Sequence, residues 1–114
     1  MEMILLVGPE SPFLRILSAF LSHAWSVREA SDNASLQKSL LTAQPSIVVF
    51  DHTQPTDLFE LNPRLYGFTG PIVLLADEPT TAKQVLTTEI LFRRPSDLVA
   101  FSRMISDLVE SSHG

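Results

Sequence analysis

The sequence predicts an α/β domain whose parallel sheet is covered on both faces. Three observations carry this. Short, almost wholly apolar runs at Met3–Val7, Ser46–Phe50 and Pro71–Leu75 suit strands buried on both sides. Segments with apolar residues at helical spacing lie between and after them. The chain has 114 residues, 45% of them hydrophobic, which is enough for one core and too little for two.

Met3–Val7 (MILLV) is the first strand, and Gly8-Pro9-Glu10 breaks it. Ser11 before Pro12 is an N-cap followed by proline at the first helical position. Phe13, Leu14, Ile16, Leu17, Phe20 and Leu21 then recur at helical spacing, giving a helix to about His23. Trp25–Ala30 alternates, as a shorter strand does. Ser31 is placed to cap a second helix, with Ala34, Leu36, Leu40 and Leu41 as its apolar positions. Gln44-Pro45 closes that unit.

Ser46–Phe50 (SIVVF) is the strongest strand, and Asp51 follows it directly. Thr56–Leu61 allows a helical turn or two, limited by Pro63. Pro71–Leu75 is the fourth strand, Asp77-Glu78-Pro79 a loop, and Thr80–Leu86 a short helix at most. Glu89–Phe92 is the last strand. Arg93-Arg94-Pro95 follows, then Ser96 as cap of an amphipathic helix. Its apolar positions are Leu98, Val99, Phe101, Met104, Ile105, Leu108 and Val109.

Right-handed crossovers leave few ways to connect these elements. A flavodoxin-like three-layer sandwich fits best, with five parallel strands in the order 2-1-3-4-5 and short or irregular third and fourth helices. Residues 1–114 read as a single domain. The polar ending Glu110-Ser-Ser-His-Gly reads as a domain edge, so the expected parent is a longer regulator.

Composition excludes several functions. Formal net charge is −5, from 8 Lys+Arg against 13 Asp+Glu, which argues against direct contact with nucleic acid. Without cysteine there is no disulfide framework, thiolate zinc site or Cys nucleophile. The longest apolar run is far too short to span a membrane, and no signal-peptide layout follows Met1-Glu2, so the expected compartment is the cytoplasm. No spacing of Ser, His and Asp suggests a hydrolytic triad, and the domain is expected not to be an enzyme.

In sheets of this topology ligands bind outside the carboxyl ends of the strands, near the switch between strands 1 and 3. That edge carries Gly8, Pro9 and Glu10; Asp51, His52 and Thr53; Ala76 and Asp77; and Arg93, Arg94 and Pro95. His52 beside Asp51 is a weak metal or acid/base signal, and a surface-loop role is expected for it.

The run Gln44-Pro-Ser-Ile-Val-Val-Phe-Asp51, Pro55 four residues later, Pro71-Ile-Val-Leu-Leu, and Leu91-Phe-Arg-Arg94-Pro95 together resemble receiver (CheY-like) domains of two-component response regulators. The resemblance covers essentially the whole chain and implies that Asp51 stands at the phosphoacceptor position. It also implies departures. The acids that end the first strand and help hold Mg²⁺ fall on Gly8 and Pro9, and Glu10 comes one residue late. Mg²⁺ wants a nearly octahedral oxygen shell, usually with carboxylates, and proline offers neither carboxylate nor N–H. The Ser/Thr that contacts the phosphoryl group falls on Ala76, and the lysine on Arg94. A guanidinium is a wider, planar fork than an ammonium.

The expectation is therefore an atypical receiver, a pseudo-receiver, with no Mg²⁺ or other cofactor. It would act by protein–protein contact or dimerisation on an output domain, possibly DNA-binding, largely without aspartyl phosphate. A histidine kinase or other signalling protein is the implied upstream partner. The resemblance places the contact face on the fourth helix, fifth strand and last helix, with Leu91, Phe101, Ile105 and Val109 as interface candidates. An Asp51–Arg94 pair is the expected substitute for bound metal. Two alternatives stand beside this: an unconventional phosphoacceptor using Asp51 with Glu10 and Arg94, and a small-ligand sensor in which Arg93 or Arg94 meets an anion.

Overall fold

The computed structural model describes residues 2–42, 44–52, 68–76, 89–91 and 96–113. Strands β1 (Met3–Val7), β2 (Ser26–Ala30), β3 (Ile47–His52), β4 (Ile72–Ala76) and β5 (Glu89–Leu91) form one sheet in the order β2-β1-β3-β4-β5. Every neighbouring pair is parallel. Three helices are described: α1 (Pro12–Leu21), α2 (Asn33–Thr42) and α3 (Leu98–His113). The predicted topology is the observed one. The short helices expected over 56–61 and 80–86 lie outside the described residues, as do Phe92, Arg93 and Arg94. No described helix is long and apolar enough to cross a membrane.

Side chains alternate across a strand, so a fully apolar run feeds two cores at once. Ile4, Leu6, Ile47, Val49, Val73 and Leu75 face one side, where they pack with Leu14, Leu17 and Leu21 of α1 and Phe101, Ile105 and Val109 of α3. Leu5, Val7, Val48, Phe50, Ile72 and Leu74 face the other, where Leu36 and Leu40 of α2 and Phe68 cover them. The sheet is thus a middle layer, and the apolar runs are long because neither face meets water.

α1 begins as the sequence indicates. The Ser11 hydroxyl accepts the Leu14 N–H at 3.2 Å, and Pro12 takes the first turn. The helix ends at Leu21 instead of His23, and the Trp25 N–H donates to the Leu21 carbonyl at 2.9 Å. Trp25 is half-buried against the α1/α3 core and precedes β2 rather than belonging to it.

The other two caps differ from expectation in the same way. Asp32, not Ser31, caps α2. Its carboxylate accepts the Ser35 N–H at 2.7 Å, while the Ser35 hydroxyl accepts the Asp32 N–H at 3.2 Å. That reciprocal pair satisfies two donors that a helix start otherwise leaves open. Asp97, not Ser96, holds α3, accepting the Ala100 N–H at 3.1 Å. In each Ser-Asp pair the carboxylate wins, because its negative charge also suits the positive end of the helix dipole. With α2 set by Asp32, its buried positions are Leu36 and Ser39, with Leu40 half-buried. Ala34 and Leu41, expected to be apolar contacts, face solvent.

The Asp32 cap has a pH signature. Hydrogen bonds from the Ser35 N–H and hydroxyl hold its carboxyl below the ordinary 3.8. A depressed folded value means that the cap's stabilisation is present above the ordinary value and is lost as pH falls through the folded one. Asp32→Ala is expected to lower the thermal midpoint at neutral pH and to flatten its acid dependence, as followed by circular dichroism melts between neutral pH and the acid limb.

α3 brings the largest correction. Phe101, Ile105 and Val109 were expected at an interface, but they are 3%, 0% and 2% exposed and belong to the core. Their spacing of four puts them on one helical stripe, and that stripe faces the sheet. Leu98, Met104 and Leu108 flank it half-buried, and Val99 is 53% exposed.

Candidate functional site

The site is the carboxyl edge of the sheet. β1 ends at Val7, which is level with Phe50 of β3. Asp51 lies one residue further along β3, level with Leu75 of β4, which is in turn level with Leu91 of β5. His52 is level with Ala76. Asp51 and His52 therefore lie inside β3 rather than in the loop after it, and Ala76 is the last residue of β4 rather than the first beyond it. The strands run one to two residues past their apolar stretches because parallel pairing with a neighbour, not hydrophobicity, sets their ends.

Asp51 is 1% exposed. By the two-residue period of β3 it falls on the side of Ile47 and Val49, beneath α1. Gly8 stands directly against it. A Cβ built on Gly8 would lie 3.0 Å from the Asp51 carbonyl oxygen, 3.2 Å from the Asp51 Cβ and 3.2 Å from the Leu14 Cδ1. This is a close approach of two strand ends that only a residue without a side chain permits. The Gly8 N–H donates to the Ala30 carbonyl at 3.0 Å, which ties the same point to β2.

Among the described residues, Pro9 and Glu10 bring no second carboxylate that pairs with a metal at Asp51. Pro9 is half-buried and brings no carboxylate. Glu10 is exposed and forms an ion pair with Arg15 of α1. The hydrogen bond and charge of Arg15 lower the Glu10 pKa. Glu10→Ala is expected to leave the unfolding midpoint nearly unchanged, because both partners are solvent-exposed and an exposed pair adds little. Leu91 lies on the backbone row that runs from Asp51, two strands away. Arg94, and with it the expected Asp51–Arg94 pair, falls outside the described residues.

These residues do not fit Mg²⁺. Among the described residues no group of three or more His, Asp or Glu side chains could hold a metal ion. The carboxylate nearest in sequence to the end of β1 is turned to an arginine, and Asp51 itself is buried. Among the described residues, a hydrated cation that keeps an octahedral oxygen shell finds no such group of His, Asp and Glu ligands.

An open cavity of about 350 Å³ lies on the other flank of β1, between its end, the end of β2 and the first turns of α1. Glu10, Ser11, Arg15, Glu29 and Ser31 supply its polar lining. Arg15 is its cation, and Glu10 already pairs with it. The cavity therefore offers no uncompensated positive charge to an anion.

Sequence reasoning located Asp51, Gly8 and Pro9 but missed Leu14 as a site residue. Leu14 is legible as a core position of α1. Its place against Gly8 depends on how α1 crosses the strand ends, which no local pattern encodes.

No family model and no curated protein matches the chain. Solved structures do. A CheY-like response-regulator receiver domain protein from Methanospirillum hungatei superposes with TM-score 0.83 at 13% identity, over 99% of this chain and 97% of that one. The N-terminal domain of an uncharacterised protein from Wolinella succinogenes gives TM-score 0.78 at 16% identity, over 97% and 96%. The receiver domain of the putative response regulator NarL from Mycobacterium tuberculosis gives 0.69 at 20% identity, over 96% and 97%. At these identities the likeness speaks for architecture alone, and it extends along both chains: the fold is that of a response-regulator receiver domain.

Proposed function

We propose that this chain is an atypical receiver, a signalling module that acts by protein–protein contact and does not depend on an aspartyl phosphate. The observation that carries the reading is the burial of Asp51, 1% exposed, beside Gly8, where an added Cβ would stand 3.0 Å from the Asp51 carbonyl oxygen. The displaced Glu10, the missing carboxylate at Pro9 and the absence of a hydroxyl at Ala76 support it. A receiver that takes phosphate must let a donor, a metal and the carboxylate meet. Here Asp51 is 1% exposed at the point where the end of β1 meets β3.

In this reading the domain is no enzyme, needs no Mg²⁺, and works in the cytoplasm as the regulatory part of a longer protein with an output domain, such as one that binds DNA. Contacts with a second copy or another signalling protein use the β5–α3 side. The groups offered there are the exposed Val99, Arg103, Asp107 and Glu110.

The test is the oligomeric state of wild type and Asp51→Asn by light scattering, with and without acetyl phosphate and Mg²⁺. The expected result is one state in all four samples. A shift on adding the donor, seen in wild type and absent from Asp51→Asn, contradicts the proposal.

A further inference from the structure

The carboxyl edge holds a feature separate from any missing ligand. Gly8, Leu14 and Asp51 converge on one point. The space that a Gly8 Cβ would fill is bounded by the Asp51 backbone and Cβ, at 3.0 and 3.2 Å, and by the Leu14 Cδ1 at 3.2 Å. Gly8 and Leu14 are both buried, Leu14 to 5% exposure. Each is held from behind. The Gly8 N–H is bonded to the Ala30 carbonyl of β2, and the Leu14 N–H to the Ser11 hydroxyl, itself buried at 7% exposure. Pro12 restricts the backbone between them.

We propose that Gly8 and Leu14 form a clasp that seals the Asp51 carboxyl from reagents in solvent, so that the β1–α1 turn controls access to it. This deepens the reading above and rests on it for its meaning. The clasp closes the site sterically, with backbone on one side and an apolar side chain on the other. A group buried in this way meets solvent only through local opening. The element that must open is the turn from Gly8 to Leu14, anchored at both ends by the bonds just named.

Carbodiimide-driven amidation of carboxyls with glycine ethyl ester, read out by peptide mass spectrometry on the whole protein, tests this. Exposed Glu29 and Glu110 serve as internal references. In wild type, Asp51 should react about tenfold more slowly than either, or slower still. Leu14→Ala should raise the Asp51 rate about tenfold in a protein still folded by circular dichroism. Leu14→Val gives a smaller rise in the same direction and keeps the test open should the alanine variant not fold. Reaction of wild-type Asp51 as fast as Glu29 overturns the seal. Unchanged protection in a folded Leu14→Val or Leu14→Ala overturns the assignment of the seal to Leu14. A phosphoryl adduct on wild-type Asp51 from acetyl phosphate overturns the phosphate-independent reading and the seal together, whereas carbodiimide reaction of Asp51 as fast as Glu29 with no phosphoryl adduct overturns the seal alone.

Discussion

Gly8→Asp is expected to destabilise the domain by about 3 kcal/mol or more, and millimolar Mg²⁺ is expected not to restore it. The variant puts back a carboxylate where the resemblance to receivers expects one, so the naive expectation is a gain of metal binding. The geometry points the other way. A Cβ at position 8 stands 3.0 Å from a backbone oxygen of Asp51, and backbone in the middle of a sheet cannot swing aside as the tip of a flexible side chain can. Overpacking of this kind costs about 1–3 kcal/mol, which is the expectation for Gly8→Ala. The carboxylate then adds a charged group next to the buried Asp51 side chain. Against a typical domain stability of about 5–15 kcal/mol this is a large fraction. Urea unfolding with and without Mg²⁺ checks it. A Gly8→Asp variant of wild-type stability, or one stabilised by Mg²⁺, shows that the strand ends can part and accept a metal.

Ile105→Ala is expected to cost about 2–5 kcal/mol and to leave the association state of the protein that remains folded unchanged. Ile105 is fully buried between α3 and the sheet, within the cluster formed by Phe101, Val109, Leu17 and Leu21. Truncation removes apolar contact and leaves a cavity among the surrounding core side chains, which closes only in part. Val99→Ala, one helical face away and 53% exposed, is expected to shift stability by no more than about 0.5 kcal/mol. Denaturant midpoints separate the two variants. Light scattering then shows whether α3 contributes to association through its outer residues or through the stripe that faces the sheet. A near-neutral Ile105→Ala variant with altered association contradicts the core assignment.

Much of the fold was legible because its signals are local. The apolar runs at Met3–Val7 and Ile72–Leu75 have no polar residue to place in water, so a sheet covered on both sides is the arrangement that suits them. Ser11-Pro12 marked the start of α1 because each residue does something that only a helix start requires. Less legible were choices between neighbours. Ser31 against Asp32, and Ser96 against Asp97, are settled by which side chain reaches the third N–H beyond it, and the carboxylate did so both times. The apolar surface of α3 is wider than one stripe, so the sequence alone could not say whether Phe101, Ile105 and Val109 or their neighbours faced the sheet.

The site divides in the same way. Asp51 and the weakness of its surroundings can be read from Gly8, Pro9 and Ala76 as residue types. The burial of Asp51 cannot. It follows from Val7 lying level with Phe50, which brings Gly8 onto Asp51 across two strands far apart in the chain. Register between distant strands is a property of the whole packing, and it turned a site short of ligands into one that is also closed.

The most direct measurement is the intact mass of the protein after incubation with acetyl phosphate and Mg²⁺, beside Asp51→Asn treated in the same way. With Asp51 only 1% exposed, the prediction is no phosphoryl adduct on either protein. A stable adduct on wild type, absent from Asp51→Asn, would contradict the account.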